Sequence, residues 1–270
     1  MERLKIGIVG CGVIGTELVK AIDSRFSQKA VVVALCDLDK EKASKLADSL
    51  KESPGILSIE ELIAISDLVI EAASKDISAT IAHQAISNDK DVMVMSVGGL
   101  IGRRDLFDLA NEKRVRLYLP SGALCGLDGV KSASIGKIRS CTLTTRKPPE
   151  GFRGAPYVVK NEIDLDAIKG ETVLFEGTAQ EAVEGFPQNI NVAASLSLAG
   201  IGPELTRVRI ITSPEFKRNS HEVTIEGEFG KLTARTDNLP SPKNPKTSFL
   251  ACLSAIATLK GIIENVKIGT

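Results

Sequence analysis

The sequence contains no tryptophan, and aromatic residues make up only 4% of its 270 residues. Proteins that bind single-stranded nucleic acid stack the bases on aromatic side chains, so this composition argues against that class. The charges also balance, with 34 Lys and Arg against 34 Asp and Glu. Because no strong field attracts polyanions or acidic lipids, neither nucleic acid nor a membrane is an expected partner.

The chain also lacks long apolar runs and paired cysteines. Nothing near about 18 consecutive apolar residues occurs, so no transmembrane helix is expected. The first strand pattern begins close to the first residue and leaves no room for a signal peptide, which predicts a cytoplasmic location. The cysteines are scattered and form no C-x-x-C pair, so neither a disulfide framework nor a metal site is expected. They are Cys11, Cys36, Cys125, Cys141 and Cys252.

A glycine motif near the start organises the rest of the chain. Leu4–Val9 is a short apolar run typical of a buried strand, and Gly10, Gly12 and Gly15 follow with the spacing G-x-G-x-x-G. Apolar residues at helical spacing begin at Val13. Strand, tight turn and helix in this order are the fingerprint of dinucleotide binding, although a purely structural turn would use similar glycines.

Each glycine has a separate task if the motif binds a dinucleotide. Gly10 permits the sharp turn, Gly12 lets the backbone approach a pyrophosphate, and Gly15 lets the helix lie close to the strand. The first helical residues, Val13 and Ile14, then offer free N–H groups and a partial positive charge to the phosphates. We therefore expect these five residues to bind the cofactor.

Asp37 closes the second predicted strand, about 20 residues after the glycines, where an acid accepts hydrogen bonds from the adenosine ribose. A carboxylate here favours NAD over NADP. A neighbouring Lys40 or Lys42 would instead meet the 2′-phosphate of NADP, so both cofactors remain open.

Strands and helices alternate as far as about residue 120, which predicts a Rossmann-type, doubly wound parallel sheet and an α/β fold class. The predicted strands are Val31–Leu35, Asp67–Ala72, Asp91–Ser96 and Val115–Leu119. The predicted helices are Lys40–Lys51, Ser58–Ile65, Asp76–Ser87 and Arg104–Lys113. The second of them is expected to begin with a capping box, because Glu61 follows Ser58 by three residues. The strand that ends at Ala72 and Ala73 is expected to bring these two residues to the nicotinamide half of the cofactor.

A second α+β domain with a mixed sheet is predicted beyond that point. Its strands are Ser140–Arg146, Thr172–Glu176, Arg207–Thr212, His221–Phe229 and Lys231–Thr236, and its helices are Val130–Gly136 and Asn189–Leu198. Lys147–Pro156, with three prolines and two glycines, is interpreted as a loop. Pro240–Pro245 is interpreted as a link, and Thr247–Glu264 as an apolar helix that packs back on the first domain. The expected domains are residues 1–123 for the dinucleotide and 124–245 for the substrate and for oligomerisation, with the terminal segment 246–270 added to the first.

The chain has only two histidines, which narrows the search for an acid–base residue. His83 lies within a predicted helix among apolar residues and is interpreted as a surface or half-buried position. His221 lies at the mouth of a strand in the second domain. A histidine exchanges protons readily near neutral pH, so His221 is either a general acid–base or a strand-edge residue bonded to nearby backbone.

Two further positions carry alternative interpretations. Asn189 precedes a helix, where its side chain either caps the helix or bonds the nicotinamide carboxamide or ribose. Ala123 follows the last strand of the parallel sheet, where its backbone either contacts the nicotinamide or forms a plain interdomain turn.

The chain resembles the L-aspartate dehydrogenase family in five segments that follow one another in order. They read G-C-G-V-I-G from Gly10, S-G-A-L-C-G-L-D from Ser121, F-P-Q-N-I-N-V-A-A from Phe186, N-S-H-E-V from Asn219 and N-P-K-T-S from Asn244. The later segments are not general features of nucleotide-binding folds. The resemblance therefore extends over the whole length.

This resemblance implies a fuller set of expectations. His221 matches the family's active-site histidine, and Ala123 and Asn189 match residues that contact the nicotinamide cofactor. The implied reaction is oxidation of L-aspartate to iminoaspartate with NAD or NADP, in a homodimer, with a link to quinolinate synthase through quinolinate production. A dicarboxylate substrate needs donors, for which the candidates are Arg146, Lys147, Arg153, Lys243, Lys246 and the N-terminus of the Thr247 helix.

Other two-domain nicotinamide enzymes are weaker alternatives. Sugar dehydrogenases resemble one another in an E-K-P segment where this chain reads M-S-V-G-G from Met95. Dihydrodipicolinate reductases carry paired histidines with a nearby lysine, and His221 is unpaired in sequence. A homoserine dehydrogenase survives as an alternative, as does a redox sensor that binds NAD without turnover.

Overall fold

The computed structural model describes residues 2–187, 190–242 and 244–270. These residues divide into two compact units. One contains the chain up to Pro120 together with Cys252–Lys267, and the other contains Ser121–Ala251 together with Ile268–Thr270. No helix in the described part of the chain has the length and apolarity needed to cross a bilayer.

The first unit is built on a parallel sheet that has six strands in the described residues, in the order β3-β2-β1-β4-β5-β6. The strands are β1 Leu4–Val9, β2 Ala30–Cys36, β3 Gly55–Ile56, β4 Leu68–Glu71, β5 Asp91–Val94 and β6 Leu117–Tyr118. The order reverses direction between β1 and β4. This switch point is where open α/β sheets bind ligands, at the carboxyl ends of the strands.

Helices connect these strands, and the predicted alternation is confirmed. They are α1 Val13–Ala21, α2 Lys40–Asp48, α3 Ile59–Ile65, α4 Lys75–Ser87 and α5 Arg104–Lys113, with a π turn at Ile22–Phe26 and a 3₁₀ turn at Val97–Leu100. The capping box expected at Ser58 and Glu61 is present, since each side chain bonds the backbone N–H of the other residue. That pair explains why α3 begins where it does.

The core of the first unit lies around the two central strands. Ile6, Ile8 and Ile70 are fully buried, and Leu18 of α1 packs with them. The last long helix, α10 (Phe249–Ile263), adds Leu259 to the same cluster. Each such side chain contributes about 1.5–3 kcal/mol by leaving water.

The second unit contains a mixed sheet, five-stranded in the described residues, in the order β11-β10-β7-β9-β8. The strands are β7 Ile138–Lys147, β8 Thr172–Thr178, β9 Arg207–Thr212, β10 Asn219–Gly227 and β11 Gly230–Asn238. The pair β7–β9 is parallel and the other three pairs are antiparallel. The α+β interpretation is therefore confirmed.

Helices pack on one face of this sheet. They are α6 Leu127–Ala133, α7 Pro156–Lys160, α8 Ala179–Gly185 and α9 Asn191–Ala199, and a 3₁₀ turn spans Pro149–Phe152. Alternate residues of β7 and β10, among them Leu143, Val223 and Ile225, are buried against them. Alternation along a strand places every second side chain on the same face, so this pattern defines a core face and an outer face.

Two expectations for the segment after Asn238 are wrong in detail. Pro240–Pro245 is not a plain link, because β12 (Pro240–Ser241) pairs with β13 (Asn244–Ser248). Thr247 therefore lies in a strand, and the helix expected to begin there begins at Phe249. Both prolines fit because an edge strand of a small ribbon tolerates a missing N–H donor.

The segment after Arg146 also differs from the prediction. Lys147 is the last residue of β7 and not the first residue of a loop, since it pairs with Thr212 of β9. Proline at 148 and 149 suggested a loop, but each lies just beyond the ladder, where no donor is required.

Candidate functional site

The glycine motif forms the turn between β1 and α1 in the first unit. Gly10 has φ +99°, and a Cβ there would collide with the backbone of Ala72 and Ala73. A Cβ at Gly15 would overlap the carbonyl oxygen of Gly10. At Gly12 a Cβ would meet nothing within 4 Å. Gly10 and Gly15 are therefore required by close packing, whereas Gly12 borders open space.

Asp37 fastens this turn from the end of β2. Its Oδ2 accepts from the N–H of Cys11 at 2.6 Å, and its Oδ1 accepts from the N–H of Asp39 at 2.9 Å. Each carboxylate oxygen has more than one lone pair, so both remain able to accept from a ribose hydroxyl. The half-buried Asp37 thus holds the glycine turn and lies on the wall of the adjoining cleft.

That cleft has a volume of about 360 Å³ and lies at the carboxyl edge of the sheet. Its walls include Gly10, Gly12, Asp37, Ala72 and Ala73. Val13 and Ile14 begin α1, and the first N–H groups of a helix have no partner within it. Space beside Gly12, helix-start N–H groups without a partner within the helix, and a carboxylate in the cleft wall together fit a dinucleotide.

A buried carboxylate supports the far wall of the cleft. Glu71 ends β4 and has no exposed surface. It accepts from the N–H groups of Ala73 at 2.8 Å and Ser96 at 2.9 Å, and from the Ser96 hydroxyl at 2.9 Å. Burial raises the pKa of Glu71, although these donors oppose the shift. The sequence interpretation did not assign Glu71 this structural role.

Cys11 lies inside the glycine turn but is not a nucleophile. Burial, followed by the charge of Asp37, raises the pKa of its thiol to about 11. A thiol that stays protonated at neutral pH reacts poorly. Cys11 is therefore a small buried residue of the turn.

The second unit buries the candidate acid–base residue. His221 is the third residue of β10, and it is only 4% exposed. Its strand lies between β7 and β11, so it is not an edge residue. The ring Nδ1 lies 3.0 Å from the Thr145 hydroxyl, directly across on β7. His83, in contrast, is exposed on α4.

Ala123 is hydrogen-bonded to β11, the strand that pairs with the strand of His221. Its carbonyl accepts from the Thr236 hydroxyl at 2.9 Å and from the Asn238 side-chain amide at 3.2 Å. Thr236 pairs with His221 across β10 and β11. Two residues expected near the nicotinamide, 98 positions apart in sequence (221 − 123), are thus linked through one threonine.

Lys147 lies on the same face of β7 as Thr145, because the two residues are two apart in a strand. Desolvation lowers the pKa of the half-buried Lys147 to about 8. Burial, and then the charge of Lys147, lowers the pKa of His221 to about 3. The imidazole is therefore neutral at pH 7, beside an ammonium group that still carries most of its charge.

The other candidate carboxylate donors are placed differently. Arg146 lies on the outer face of β7, where its guanidinium is 3.6 Å from Glu222. Arg153 is exposed and bonds Asp166. Asn189 and Lys243 lie outside the described residues, as does the side chain of Lys246.

Sequence reasoning named His221 and Lys147 but missed the polar residues that share their end of the core face. These are Thr145, Thr212, Thr236 and Asn238. The alternation in Ser140–Arg146 would have placed Thr145 on the face of the apolar residues, but only the pairing register brings His221 opposite it. Among the described residues, no group of three or more His, Cys, Asp or Glu side chains is arranged to hold a metal ion.

The chain joins a Rossmann-type unit, which has an open dinucleotide cleft, to a mixed-sheet unit that buries a neutral histidine. This combination defines a nicotinamide-dependent oxidoreductase. The comparisons with known proteins agree. Residues 10–120 match the family model described as homoserine dehydrogenase, NAD binding domain, and residues 128–262 match aspartate dehydrogenase, C-terminal.

Two curated relatives identify the family. The chain is 54% identical to an L-aspartate dehydrogenase of Methanosarcina acetivorans, over 99% of this chain and 100% of the relative. It is 40% identical to one of Bradyrhizobium diazoefficiens, over 100% of this chain and 95% of the relative. The chain belongs to the L-aspartate dehydrogenase family.

A solved structure agrees with the fold. The crystal structure of aspartate dehydrogenase from Thermotoga maritima superimposes with a TM-score of 0.73 at 24% identity, covering 99% of this chain and all of the other. The two-part architecture is therefore shared by sequences that have diverged widely.

Proposed function

We propose that this protein oxidises L-aspartate to iminoaspartate with NAD or NADP, and catalyses the reverse reductive amination of oxaloacetate. The observation that carries the proposal is the match of residues 128–262, the substrate half, to the aspartate dehydrogenase model. High identity to named relatives over the whole chain supports it. The two compact units would then correspond to a cofactor domain and a substrate domain.

His221 is the proposed catalytic residue. When bound, the nicotinamide ring supplies the hydride acceptor for the substrate Cα. His221 takes the amine proton that must leave as the C=N bond forms. For Nε2 to accept this proton, Nδ1 carries the ring hydrogen and donates it to the Thr145 hydroxyl, 3.0 Å away. Thr145 therefore selects the tautomer and orients the ring.

The first unit binds and orients the cofactor in this proposal. The N–H groups at Val13, Ile14 and Gly15 receive the pyrophosphate, and Asp37 receives the adenosine ribose. Ala72, Ala73, Ala123 and Asn189 complete the proposed contacts on the nicotinamide side. A homodimer and a link to quinolinate synthase remain predictions from the family resemblance, and a cytoplasmic location remains a prediction from the sequence.

The test follows absorbance in the NADH band with L-aspartate, with L-homoserine and without substrate. Aspartate-dependent reduction of NAD or NADP is the expected result. The homoserine alternative is favoured by one observation, the description of the model that matches residues 10–120. Reduction driven only by L-homoserine would establish that alternative, and NAD binding without reduction by either substrate would indicate a sensor.

A further inference from the structure

Glu71 is a fully buried carboxylate at the end of β4, and its hydrogen bonds reach two different turns. Its Oε1 accepts from the Ala73 N–H at 2.8 Å and from the Ser96 hydroxyl at 2.9 Å, and its Oε2 accepts from the Ser96 N–H at 2.9 Å. Burying a carboxylate costs free energy unless its oxygens are hydrogen-bonded, and here three donors meet the two oxygens. The side chain therefore fastens the turn after β4 to the turn after β5.

These bonds lie beyond the last rung of the sheet. The ladder between β4 and β5 pairs Glu71 with Val94, and the Met95 N–H then donates to the Glu71 carbonyl oxygen at 2.9 Å. Ser96 comes next, and its own carbonyl accepts from the buried Ser78 hydroxyl of α4 at 3.0 Å. The carboxylate thus extends the joint between the two strands past the point where regular pairing ends.

The peptide group between Ala72 and Ala73 is the part of the first turn that meets the cleft. It packs so closely on the glycine turn that a Cβ at Gly10 would collide with the Ala72 carbonyl and lie 2.7 Å from the Ala73 nitrogen. The half-buried Ala72 and the exposed Ala73 both line the cleft. Any change in how Glu71 holds Ala73 is therefore transmitted directly to the cleft wall.

The polar groups of this wall indicate which part of a dinucleotide it faces. The Ala72 N–H donates to the Val9 carbonyl at 2.7 Å, and the Ala73 N–H donates to Glu71. Because both N–H groups are used within the protein, the wall has little to offer a phosphate. The start of α1, whose first N–H groups have no partner within the helix, suits the pyrophosphate instead. Methyl groups and a carbonyl oxygen suit a nucleoside.

The strand order indicates which nucleoside this is. Asp37 follows β2 on one side of β1, whereas β4 and β5 lie on the other side. With the pyrophosphate at the turn between β1 and α1 and the adenosine ribose near Asp37, the other nucleoside lies over the ends of β4 and β5. In NAD and NADP that is the nicotinamide nucleoside.

We propose that Glu71 is a positioning residue for the nicotinamide half of the cofactor: through Ala73 and Ser96 it fixes the ends of β4 and β5 over which that half lies. The inference rests on the proposed function in one respect, because it takes NAD or NADP as the ligand of the cleft. Glu71 acts through its neighbours, since it has no exposed surface of its own.

The chemistry of the carboxylate makes this role testable. An ionised carboxylate accepts at both oxygens, whereas an amide has one accepting oxygen and an NH2 group that only donates. In Glu71→Gln, the N–H of either Ala73 or Ser96 therefore faces another donor. The size of the side chain is nearly unchanged, so the substitution alters hydrogen bonding and not packing.

The test measures the binding of two ligands by calorimetry. One is whichever of NAD and NADP the wild type binds more tightly, and the other is ADP, which carries the adenosine and two phosphates but no nicotinamide nucleoside. Glu71→Gln should weaken binding of the whole cofactor at least about tenfold, as expected when a buried donor loses its acceptor. Binding of ADP should stay as in the wild type. Glu112→Gln, an exposed glutamate of α5, is the matched control and should bind both ligands normally.

Ser96→Ala is a milder second variant. It removes the hydroxyl donor and leaves the N–H groups of Ala73 and Ser96 bonded to the carboxylate. Affinity for the whole cofactor should fall about fivefold, as for loss of one hydrogen bond, with ADP again unaffected. This variant decides the question even if Glu71→Gln does not fold.

Two results would overturn the inference. One is affinity for the whole cofactor that is unchanged in the variants. The other is ADP affinity that falls in step with it, which would mean that Glu71 supports the glycine turn or the fold in general. A wild type that reduces its cofactor with L-aspartate while Glu71→Gln binds normally refutes the positioning role alone. If the selective loss is seen but the wild type does not act on L-aspartate, the proposed function fails and the positioning role stands.

Discussion

The two units assemble their proposed binding and catalytic residues in opposite ways. In the first, the backbone of one turn, where Gly10, Gly12 and Gly15 lie within six consecutive residues, lines the cleft together with residues that follow β2 and β4. In the second, Thr145, His221, Thr236 and Ala123 come together from separate strands and a loop. The proposed cofactor cleft therefore depends largely on turns between neighbours in sequence, whereas the proposed catalytic residues are brought together by strand pairing.

Gly10→Ala is expected to have the largest effect on the first half of this comparison. The substitution places a Cβ at φ +99° against the backbone of Ala72 and Ala73, which closes the turn that faces the cleft. We expect NAD affinity to fall at least about a hundredfold, equivalent to about 2.8 kcal/mol. Calorimetric titration with NAD measures this.

Gly102→Ala is the control for that variant. Gly102 also has positive φ, at +77°, but a Cβ there would meet nothing within 4 Å. Gly102→Ala therefore introduces backbone strain without a steric collision, so this variant should bind NAD as the wild type does. Equal losses in both variants would show that strain alone, and not the close approach, accounts for the effect.

Asp37→Ala should have an intermediate effect and should separate the two cofactors. The carboxylate accepts from Cys11 and Asp39 and also lines the cleft in which we propose the ribose binds, so its loss should weaken NAD binding about tenfold. NADP should be weakened less, because removing the negative charge also removes repulsion of the 2′-phosphate. Titration of both cofactors checks the ratio, and equal weakening would mean that the ribose is held elsewhere.

The smallest expected effect is on the free energy of unfolding at low pH, and it concerns His221 in the second unit. The pKa of His221 is lowered to about 3 in the folded protein. Below about pH 6.5, the imidazole therefore binds a proton in the unfolded chain but not in the folded one. Stability present above pH 6.5 is therefore lost as the pH falls, by about 1 kcal/mol between pH 6.5 and pH 5.5. Urea unfolding of the wild type and His221→Gln should show this difference.

His83→Gln supplies the comparison for that measurement. His83 is exposed on α4, so its replacement should leave the pH dependence of unfolding as it is in the wild type. A His221→Gln protein whose stability falls with pH as steeply as the wild type would mean that the imidazole is not buried in the neutral form.

The contrast also explains what could be predicted from sequence. The glycine turn, the alternation of strands and helices and the capping box at Ser58 depend on neighbours within a few residues, and these predictions are confirmed. The pairing of β12 with β13 and the place of Lys147 in a strand depend on partners elsewhere in the chain, and both were misjudged. The nearby prolines suggested loops, because the conformational preference of a proline is local. The strand pairing beside them depends instead on residues elsewhere in the chain.

The same reasoning applies to individual site residues. His221 was selected because the chain offers few histidines, but its neutral state could not be predicted, since burial and Lys147 cause it. Ala123 was suggested by its place after a strand, and its two hydrogen bonds to Thr236 and Asn238 follow only from the fold. Residue types indicate which chemistry is available, whereas the charge state and orientation of a side chain depend on the tertiary structure.

The most direct test of the account is one paired measurement on His221→Ala: the NAD dissociation constant and the rate of aspartate-dependent NADH formation. If binding of the cofactor and acid–base chemistry belong to different units, the rate should fall by a factor on the order of a hundred or more while the dissociation constant is unchanged. His83→Ala should leave both as in the wild type. A variant that keeps near-normal turnover, or one that loses NAD affinity in step with its rate, would contradict this division.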